Sequence, residues 1–150
     1  MFKKILIVCI GNICRSPTAE YLLKQKLKEL GKTVSVQSAG LGALVGKPAA
    51  EPAQQLAAHH GVDLTPHIAR QLTSEMIHEH DLILVMEENH IKGCERITPA
   101  ARGKTHLLGR WNNGVEIPDP YRKGEAAYEL AYGLIEQSVG EWVDRVFRSS

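Results

Sequence analysis

The sequence predicts an α/β fold in which a four-stranded parallel sheet carries helices on both faces. Residues 5–8 and 82–86 are short, fully apolar runs, and helical patterns separate the successive strand patterns. Uninterrupted apolar runs are typical of strands buried on both faces, and strands that alternate with helices favour parallel pairing. A chain of 150 residues is long enough for one domain, residues 1–150, with its own core.

The predicted elements follow the order β-α-β-α-α-β-α-β, and a long helix closes the chain. Strands are predicted at residues 5–8, 34–37, 82–86 and 104–108. Helices are predicted at residues 17–30, 49–60, 73–78, 87–94 and 125–147. Gly31 and Gly61 follow two of these helices, as glycine does at many helix C-termini.

Charge and cysteine content narrow the classes of function. Lys and Arg total 18 and Asp and Glu total 17, so no excess of charge indicates a nucleic-acid partner. The N-terminus is too polar beyond residue 10 for a signal peptide, and no run has the length of a membrane span. Three cysteines without a disulfide pattern are typical of a reducing compartment. We therefore expect a cytoplasmic protein without membrane insertion.

Residues 9–16, CIGNICRS, indicate an anion site between the first strand and the first helix. Gly11 and Asn12 permit unusual backbone angles. Ser16 is expected to cap the helix, with Pro17 at its first position. Backbone N–H groups and the positive end of a helix would then face one small volume. The nucleotide-binding pattern GxxxxGK[ST] is absent.

The side chains of Cys9, Arg15 and Ser16 predict the chemistry of this site. A thiol that faces N–H donors and a helix N-terminus is expected to be a thiolate near neutral pH. Arg15 offers a planar fork for two phosphate oxygens, and Ser16 can donate a hydrogen bond to the sulfur. A nucleophile beneath an oxyanion cradle favours phosphoryl transfer through a phosphocysteine, without a metal or other cofactor. The alternative is that Cys9 is a small core residue.

A second loop, NNGVEIPDPYRKG, holds Asp119 between two prolines. The prolines restrict the direction of the carboxylate, which makes Asp119 a candidate general acid beside the thiolate. The alternative is an aspartate that only forms a turn. Tyr121 is a candidate for the wall of a substrate crevice. Leu44, in a glycine-rich loop, either joins that wall or anchors its loop to the core.

Strand–CIGNICRSPTAE–helix and IPDPYRK together resemble the low-molecular-weight protein-tyrosine phosphatases. SAGLGALVGKP and PHIARQLT resemble the bacterial branch that works with tyrosine kinases of capsule or exopolysaccharide production, and the resemblance spans residues 4–147. It implies that Cys9 is the nucleophile, Arg15 the transition-state clamp and Asp119 the proton donor. The implied phosphate-binding loop comprises Ile10, Gly11, Asn12, Ile13, Cys14, Arg15 and Ser16.

The resemblance also implies supporting residues and a partner. Asn12, Ser16, Ser38 and His67 match positions whose hydrogen bonds support the loop in the family. The implied partner is a tyrosine-phosphorylated protein, the tail of a bacterial tyrosine kinase.

Three positions bear on specificity and redox control. Leu44 stands where other members carry a large aromatic residue. Arg122 replaces a second aromatic residue after the Asp-Pro-Tyr motif, and we expect it to favour acidic sequences around the phosphotyrosine. Cys14 matches a cysteine that in the family forms a reversible disulfide with the nucleophile; the alternative is a buried, inert thiol.

Two other functions fit parts of the pattern. Thioredoxin-coupled arsenate reductases resemble this chain through Cys9, Cys14 and Arg15. They need a downstream pair of redox cysteines, whereas this chain has only Cys94 there. A non-catalytic phosphate-binding module would need neither a loop thiol nor a poised carboxylate.

Overall fold

The computed structural model describes residues 1–148 and contains one parallel sheet. Its strands are β1 (Lys4–Cys9), β2 (Ser35–Gly40), β3 (Leu82–Val85) and β4 (Thr105–Leu107). Its α-helices are α1 (Arg15–Glu29), α2 (Glu51–His59), α3 (Ser74–Glu79), α4 (Glu88–Ile97) and α5 (Glu125–Trp142). The strands pair in the order β2-β1-β3-β4, all parallel, so the predicted fold class is confirmed.

The sheet divides the core into two layers. Ile5 and Ile7 of β1 pack with residues of α1, α2 and α5 on one face. Leu6 and Val8 pack with residues of α3 and α4 on the other. All four side chains are fully buried, which explains why the strand is an uninterrupted apolar run.

The order of the strands fixes the location of the site. The chain leaves β1 for β2 on one side and later enters β3 on the other, so the carboxyl end of β1 lies where the winding reverses. Crevices open at such points because the two neighbouring connections diverge. The loop after Cys9 lies there.

The start of α1 differs from the prediction. The helix begins at Arg15, with Cys14 in the cap position and no side-chain cap, so the assignment of Ser16 as the cap was wrong. The hydroxyl of Ser16 instead contacts Cys9 and Asn12. Pro17 lies at the third helical position. A backbone N–H there has no hydrogen-bond partner within the helix, so proline loses no helical hydrogen bond. The left-handed angle belongs to Asn12, whose φ is 60°, and Gly11 does not share it.

The end of the chain also departs from a regular helix. After α5, residues Val143–Phe147 form a π-helical turn. Such a turn shifts the later side chains around the axis by a fraction of a turn. Phe147 is fully buried, whereas its neighbour Val146 is half-buried. Within residues 1–148, no helix combines the length and apolarity that crossing a bilayer demands.

Gly40, the last residue of β2, allows the loop after β1 to approach the sheet. A β-carbon at this position would collide with the carbonyl oxygen of Ile10 and lie 3.1 Å from the β-carbon of Asn12. Both neighbours belong to the loop that forms the site, so a β-carbon at this position would force the loop itself to move.

Gly40→Ala should lower the free energy of unfolding by about 1–3 kcal/mol, because the methyl group forces backbone to move. Gly133→Ala is the matched control. It lies inside α5 with nothing within 4 Å of the added carbon, and should stabilise by about 0.5–1 kcal/mol. Urea unfolding midpoints measure both, and a Gly40→Ala protein as stable as wild type would contradict this account of Gly40.

Candidate active site

The loop after β1 turns its carbonyl groups outward. Each carbonyl oxygen of residues 9–14 accepts a hydrogen bond from a residue outside that segment. In chain order the donors are the backbone N–H groups of Leu41, Gly42 and Leu44, Nε2 of His67, and the backbone N–H groups of Ala50 and Thr18. The N–H and C=O of a trans peptide point in opposite directions, so the N–H groups that follow these carbonyls face inward. They form a cradle for an oxyanion.

Asn12 holds the loop in its left-handed turn. The side chain is fully buried, and its amide donates to Ser16 Oγ at 2.7 Å and to Ser38 Oγ at 3.0 Å. Its Oδ1 accepts from the backbone N–H of Arg70 at 3.0 Å, and its carbonyl accepts from His67 Nε2 at 2.6 Å. Every polar group named here is satisfied, which offsets the cost of a positive φ in a residue with a β-carbon.

The sulfur of Cys9 lies at the floor of the cradle. Ser16 Oγ is 2.9 Å from Cys9 Sγ. That hydroxyl already accepts a hydrogen bond from the Asn12 amide, so its own proton is available to the sulfur. The Ser38 hydroxyl continues the network, since it accepts from Asn12 and donates to Glu20 Oε1 at 2.5 Å. The chain of bonds from Glu20 therefore orients a donor toward the sulfur.

Two hydrogen bonds hold the guanidinium of Arg15 in place. Its side chain is 2% exposed, and Nη1 donates to Glu87 Oε2 at 2.5 Å and to the carbonyl of Ile117 at 2.7 Å. These two bonds use both Nη1 hydrogens. The remaining edge of the guanidinium, Nε and Nη2, has the geometry that binds two oxygens of a phosphate.

Glu87 is itself held by the start of α4. It caps the helix, and its side chain and that of His90 form a reciprocal capping box. The backbone N–H of Glu87 donates to His90 Nδ1 at 3.2 Å, which places the proton of a neutral imidazole on Nε2. That nitrogen lies 3.7 Å from Oε2 of Glu87, the oxygen that accepts the hydrogen bond from Arg15. Burial and the charge of Arg15 lower the pKa of His90, so the neutral form is favoured.

A crevice of about 190 Å³ opens above the sulfur. Asp119, Tyr121 and Leu44 all line it. The Asp119 carboxylate accepts the backbone N–H of Tyr121 at 3.1 Å through Oδ1, so the local turn orients it. The crevice also contains Gly42 and the predicted loop residues Cys9, Ile10, Gly11, Asn12, Ile13, Cys14 and Arg15.

The other two cysteines have environments that disfavour a thiolate. Burial raises the pKa of Cys14 to about 11, although a hydrogen bond of 3.3 Å with the Tyr128 hydroxyl opposes the shift. Burial likewise raises the pKa of Cys94 to about 12. All three cysteines are free thiols. Cys94 packs against the face of the sheet opposite to Cys9 and Cys14.

The structure thus brings together every predicted site residue. Cys9, Arg15 and Asp119 line one crevice, and Asn12, Ser16, Ser38 and His67 form a connected network beneath it. In residues 1–148, no group of three His, Cys, Asp or Glu side chains lies close enough together to hold a metal ion.

Sequence reasoning missed several residues that support the site. Glu20 accepts the hydrogen bond of the Ser38 hydroxyl, and the backbone N–H of Arg70 donates to Asn12. Glu87 pairs with Arg15 and forms a capping box with His90. Gly40 leaves room for the loop. No local signal indicated the capping box, because Glu87 was predicted as the first residue of its helix and the usual pattern has Ser, Thr, Asp or Asn at the cap with Glu or Gln three residues later.

Comparison with known proteins identifies relatives along the whole chain. A model of the low molecular weight phosphotyrosine protein phosphatase family matches residues 4–150. The probable low molecular weight protein-tyrosine-phosphatase AmsI of Erwinia amylovora is 51% identical over 148 residues, covering 99% of this chain and 100% of the relative. The low molecular weight protein-tyrosine-phosphatase Wzb of Salmonella typhimurium is 50% identical over 142 residues, covering 95% and 93%.

Solved structures agree with these relatives. The crystal structure of AmsI superposes with a TM-score of 0.93 at 50% identity, over 99% of this chain and 95% of that one. Vibrio vulnificus Wzb, solved in complex with benzylphosphonate, gives a TM-score of 0.92 at 43% identity, over 97% of this chain and 100% of that one.

His90→Ala should weaken the binding of inorganic phosphate by about tenfold, because Glu87 loses its capping partner and no longer fixes Arg15. His90→Gln restores an acceptor for the Glu87 N–H and a donor at the far end, so it should bind phosphate within about twofold of wild type. Titration calorimetry measures both affinities, and thermal melts follow stability in parallel. A melting point lowered in His90→Ala with unchanged phosphate affinity would limit His90 to capping α4.

Proposed function

The chain belongs to the low molecular weight phosphotyrosine protein phosphatase family and is a protein-tyrosine phosphatase, and on that premise we propose how its residues hydrolyse phosphotyrosine. Cys9 is the nucleophile, Arg15 the clamp on the phosphoryl oxygens and Asp119 the general acid. The observation that carries this proposal is that all three line one crevice, above a loop whose N–H groups face inward.

The first step transfers the phosphoryl group to the protein. The Cys9 thiolate attacks phosphorus, forming a sulfur–phosphorus bond as the bond from phosphorus to the phenolic oxygen breaks. Asp119 gives its proton to the departing oxygen, so tyrosine leaves as a neutral phenol. Arg15 and the inward N–H groups stabilise the charge on the equatorial oxygens.

The second step returns the protein to its starting state. Water attacks the phosphocysteine, the Asp119 carboxylate takes a proton from that water, and the sulfur leaves as a thiolate. The hydrogen bond from Ser16, 2.9 Å from the sulfur, stabilises that leaving thiolate. The products are inorganic phosphate and the original site, with Asp119 protonated again.

We propose that the protein substrate is the phosphorylated tail of a bacterial tyrosine kinase of capsule or exopolysaccharide production, and that the reaction takes place in the cytoplasm. The resemblance of SAGLGALVGKP and PHIARQLT to that branch supports the first part, and the three free thiols support the second. We also propose that residues 1–150 act as one domain, which the family match over residues 4–150 supports. Reversible disulfide formation between Cys14 and Cys9 stays a prediction.

Hydrolysis of p-nitrophenyl phosphate in EDTA tests the nucleophile. Wild type should turn over and vanadate should inhibit it, whereas Cys9→Ser should lose at least about a thousandfold in kcat because the nucleophile is gone. Arg15→Lys should lose about a hundredfold or more, since an ammonium cannot bind two oxygens in a plane. Arsenate with thioredoxin serves as the parallel assay, and arsenate reduction in place of phosphate release would overturn the proposal.

Asp119→Asn tests the general acid through the leaving group. The loss in kcat/KM should be about 10²–10⁴-fold for phenyl phosphate, whose leaving group needs a proton. It should be much smaller for p-nitrophenyl phosphate, which releases a stable anion. A series of substituted phenyl phosphates measures the dependence, and an equal loss along the series would remove Asp119 from this role.

A further inference from the structure

A large groove continues from one side of the crevice. It has a volume of about 990 Å³ and lies between α2 and the N-terminal part of α5. Ile13, Leu44 and Tyr121 line both the crevice and this groove, so the two are continuous. We call it the flanking groove. It is also lined by residues 47–52, Gln55, Leu56, His59, Arg122, Gly124, Glu125, Tyr128 and Glu129.

The walls of the flanking groove near the crevice are fixed to the catalytic loop. The backbone N–H of Ala50 donates to the carbonyl of Ile13 at 2.8 Å. Lys47 is held on both sides, because its N–H donates to Leu44 and its carbonyl accepts from Ala69. A wall that is already ordered loses little conformational entropy when a chain binds to it.

Positive charge lies at the end of the groove next to the crevice. Lys47 is three residues beyond Leu44, and Arg122 directly follows Tyr121. The Arg122 guanidinium stacks over the Tyr121 ring, with its central carbon 5.1 Å from the ring centroid. Both cations are exposed, and within the described residues 1–148 neither forms a salt bridge.

Negative charge lies along the two helices that line the groove. Glu125 and Glu129 stand one turn apart on α5, so their carboxylates share a face. Both are exposed. Glu51, at the start of α2, has Gln55 as its hydrogen-bond partner and stabilises the N-terminus of its own helix. The groove therefore has two cations close in the chain to residues that also line the crevice, and, besides Glu51, two exposed carboxylates farther along the chain on α5.

We propose that the flanking groove binds the substrate chain on one side of the phosphotyrosine and selects it by charge. Lys47 and Arg122 bind an acidic side chain close to the phosphotyrosine, and Glu125 and Glu129 bind a basic side chain farther along. This specificity rests on the proposed function, because the phosphotyrosine must occupy the crevice for its neighbours to reach the groove. The occupant is therefore a phosphotyrosine peptide with acidic residues near the phosphotyrosine and basic residues beyond them.

Four phosphotyrosine peptides of equal length and net charge test the proposal. Two of the peptides carry an acidic pair of residues beside the phosphotyrosine and a basic pair beyond it. In the first peptide both pairs lie on the N-terminal side of the phosphotyrosine, and in the second both lie on its C-terminal side. The other two carry the same pairs in reversed order. For wild type, the ratio of kcat/KM between the two orders should be about tenfold on one side and about one on the other.

The double variant Lys47→Glu with Arg122→Glu should bring that ratio below one. The control, Lys92→Glu with Arg96→Glu, makes the same change in net charge at exposed positions on α4, away from the groove, and should keep the ratio. Glu125→Lys with Glu129→Lys should reduce the ratio through the distal pair. Circular dichroism checks that each variant is folded.

Three outcomes would overturn the inference. The first is that wild type shows equal ratios on both sides of the phosphotyrosine. The second is that Lys47→Glu with Arg122→Glu leaves the ratio unchanged. The third is that the control variant changes the ratio equally, which would indicate an effect of the net charge of the protein and not of the groove. Failure of the proposed function itself is distinguishable, since wild type would then hydrolyse neither the peptides nor p-nitrophenyl phosphate.

Discussion

The site depends on one constraint, the outward orientation of the carbonyl groups of residues 9–14. Six peptide carbonyls in a row accept hydrogen bonds from outside the loop, and this forces the N–H groups that follow them inward. A short loop cannot satisfy so many carbonyls by itself. The donors come instead from the segment after β2, the segment around His67 and the first turns of α1 and α2. The anion cradle is therefore a product of the whole fold.

The same constraint explains why the buried polar groups are where they are. The left-handed turn at Asn12 costs about 1–2 kcal/mol in a residue with a β-carbon, and the four hydrogen bonds of Asn12 offset it. Gly40 is needed because the outward carbonyl of Ile10 occupies the space where a β-carbon would stand. Arg15 likewise depends on distant segments, because its guanidinium is oriented by Glu87, the cap residue of α4, and by the carbonyl of Ile117.

Local patterns predicted the fold class, the order of the elements and the residues of the crevice, because each has a local signal. Apolar runs mark the strands, and Cys9, Arg15 and Asp119 stand in short motifs. The supporting residues could not be predicted in this way. Glu20 and Arg70 act through partners 18 and 58 residues away, Ser38 and Asn12, and nothing in their own neighbourhood indicates these contacts. Ser16 was assigned as a cap by propensity, but the tertiary contact with the Cys9 sulfur took precedence.

The division of the core by the sheet also limits which thiol chemistry the chain can perform. A disulfide requires α-carbons within about 7 Å, and Cys94 packs with α3 and α4 on the face opposite to Cys9 and Cys14. A relay that carries a disulfide from the loop to a downstream cysteine would have to cross the sheet. Burial keeps the pKa of Cys94 high, at about 12, so it is also a poor nucleophile near neutral pH. Sulfur chemistry is thus confined to Cys9 and Cys14, which line one crevice with Arg15 and Asp119, where an oxyanion cradle and a carboxylate suit phosphoryl transfer.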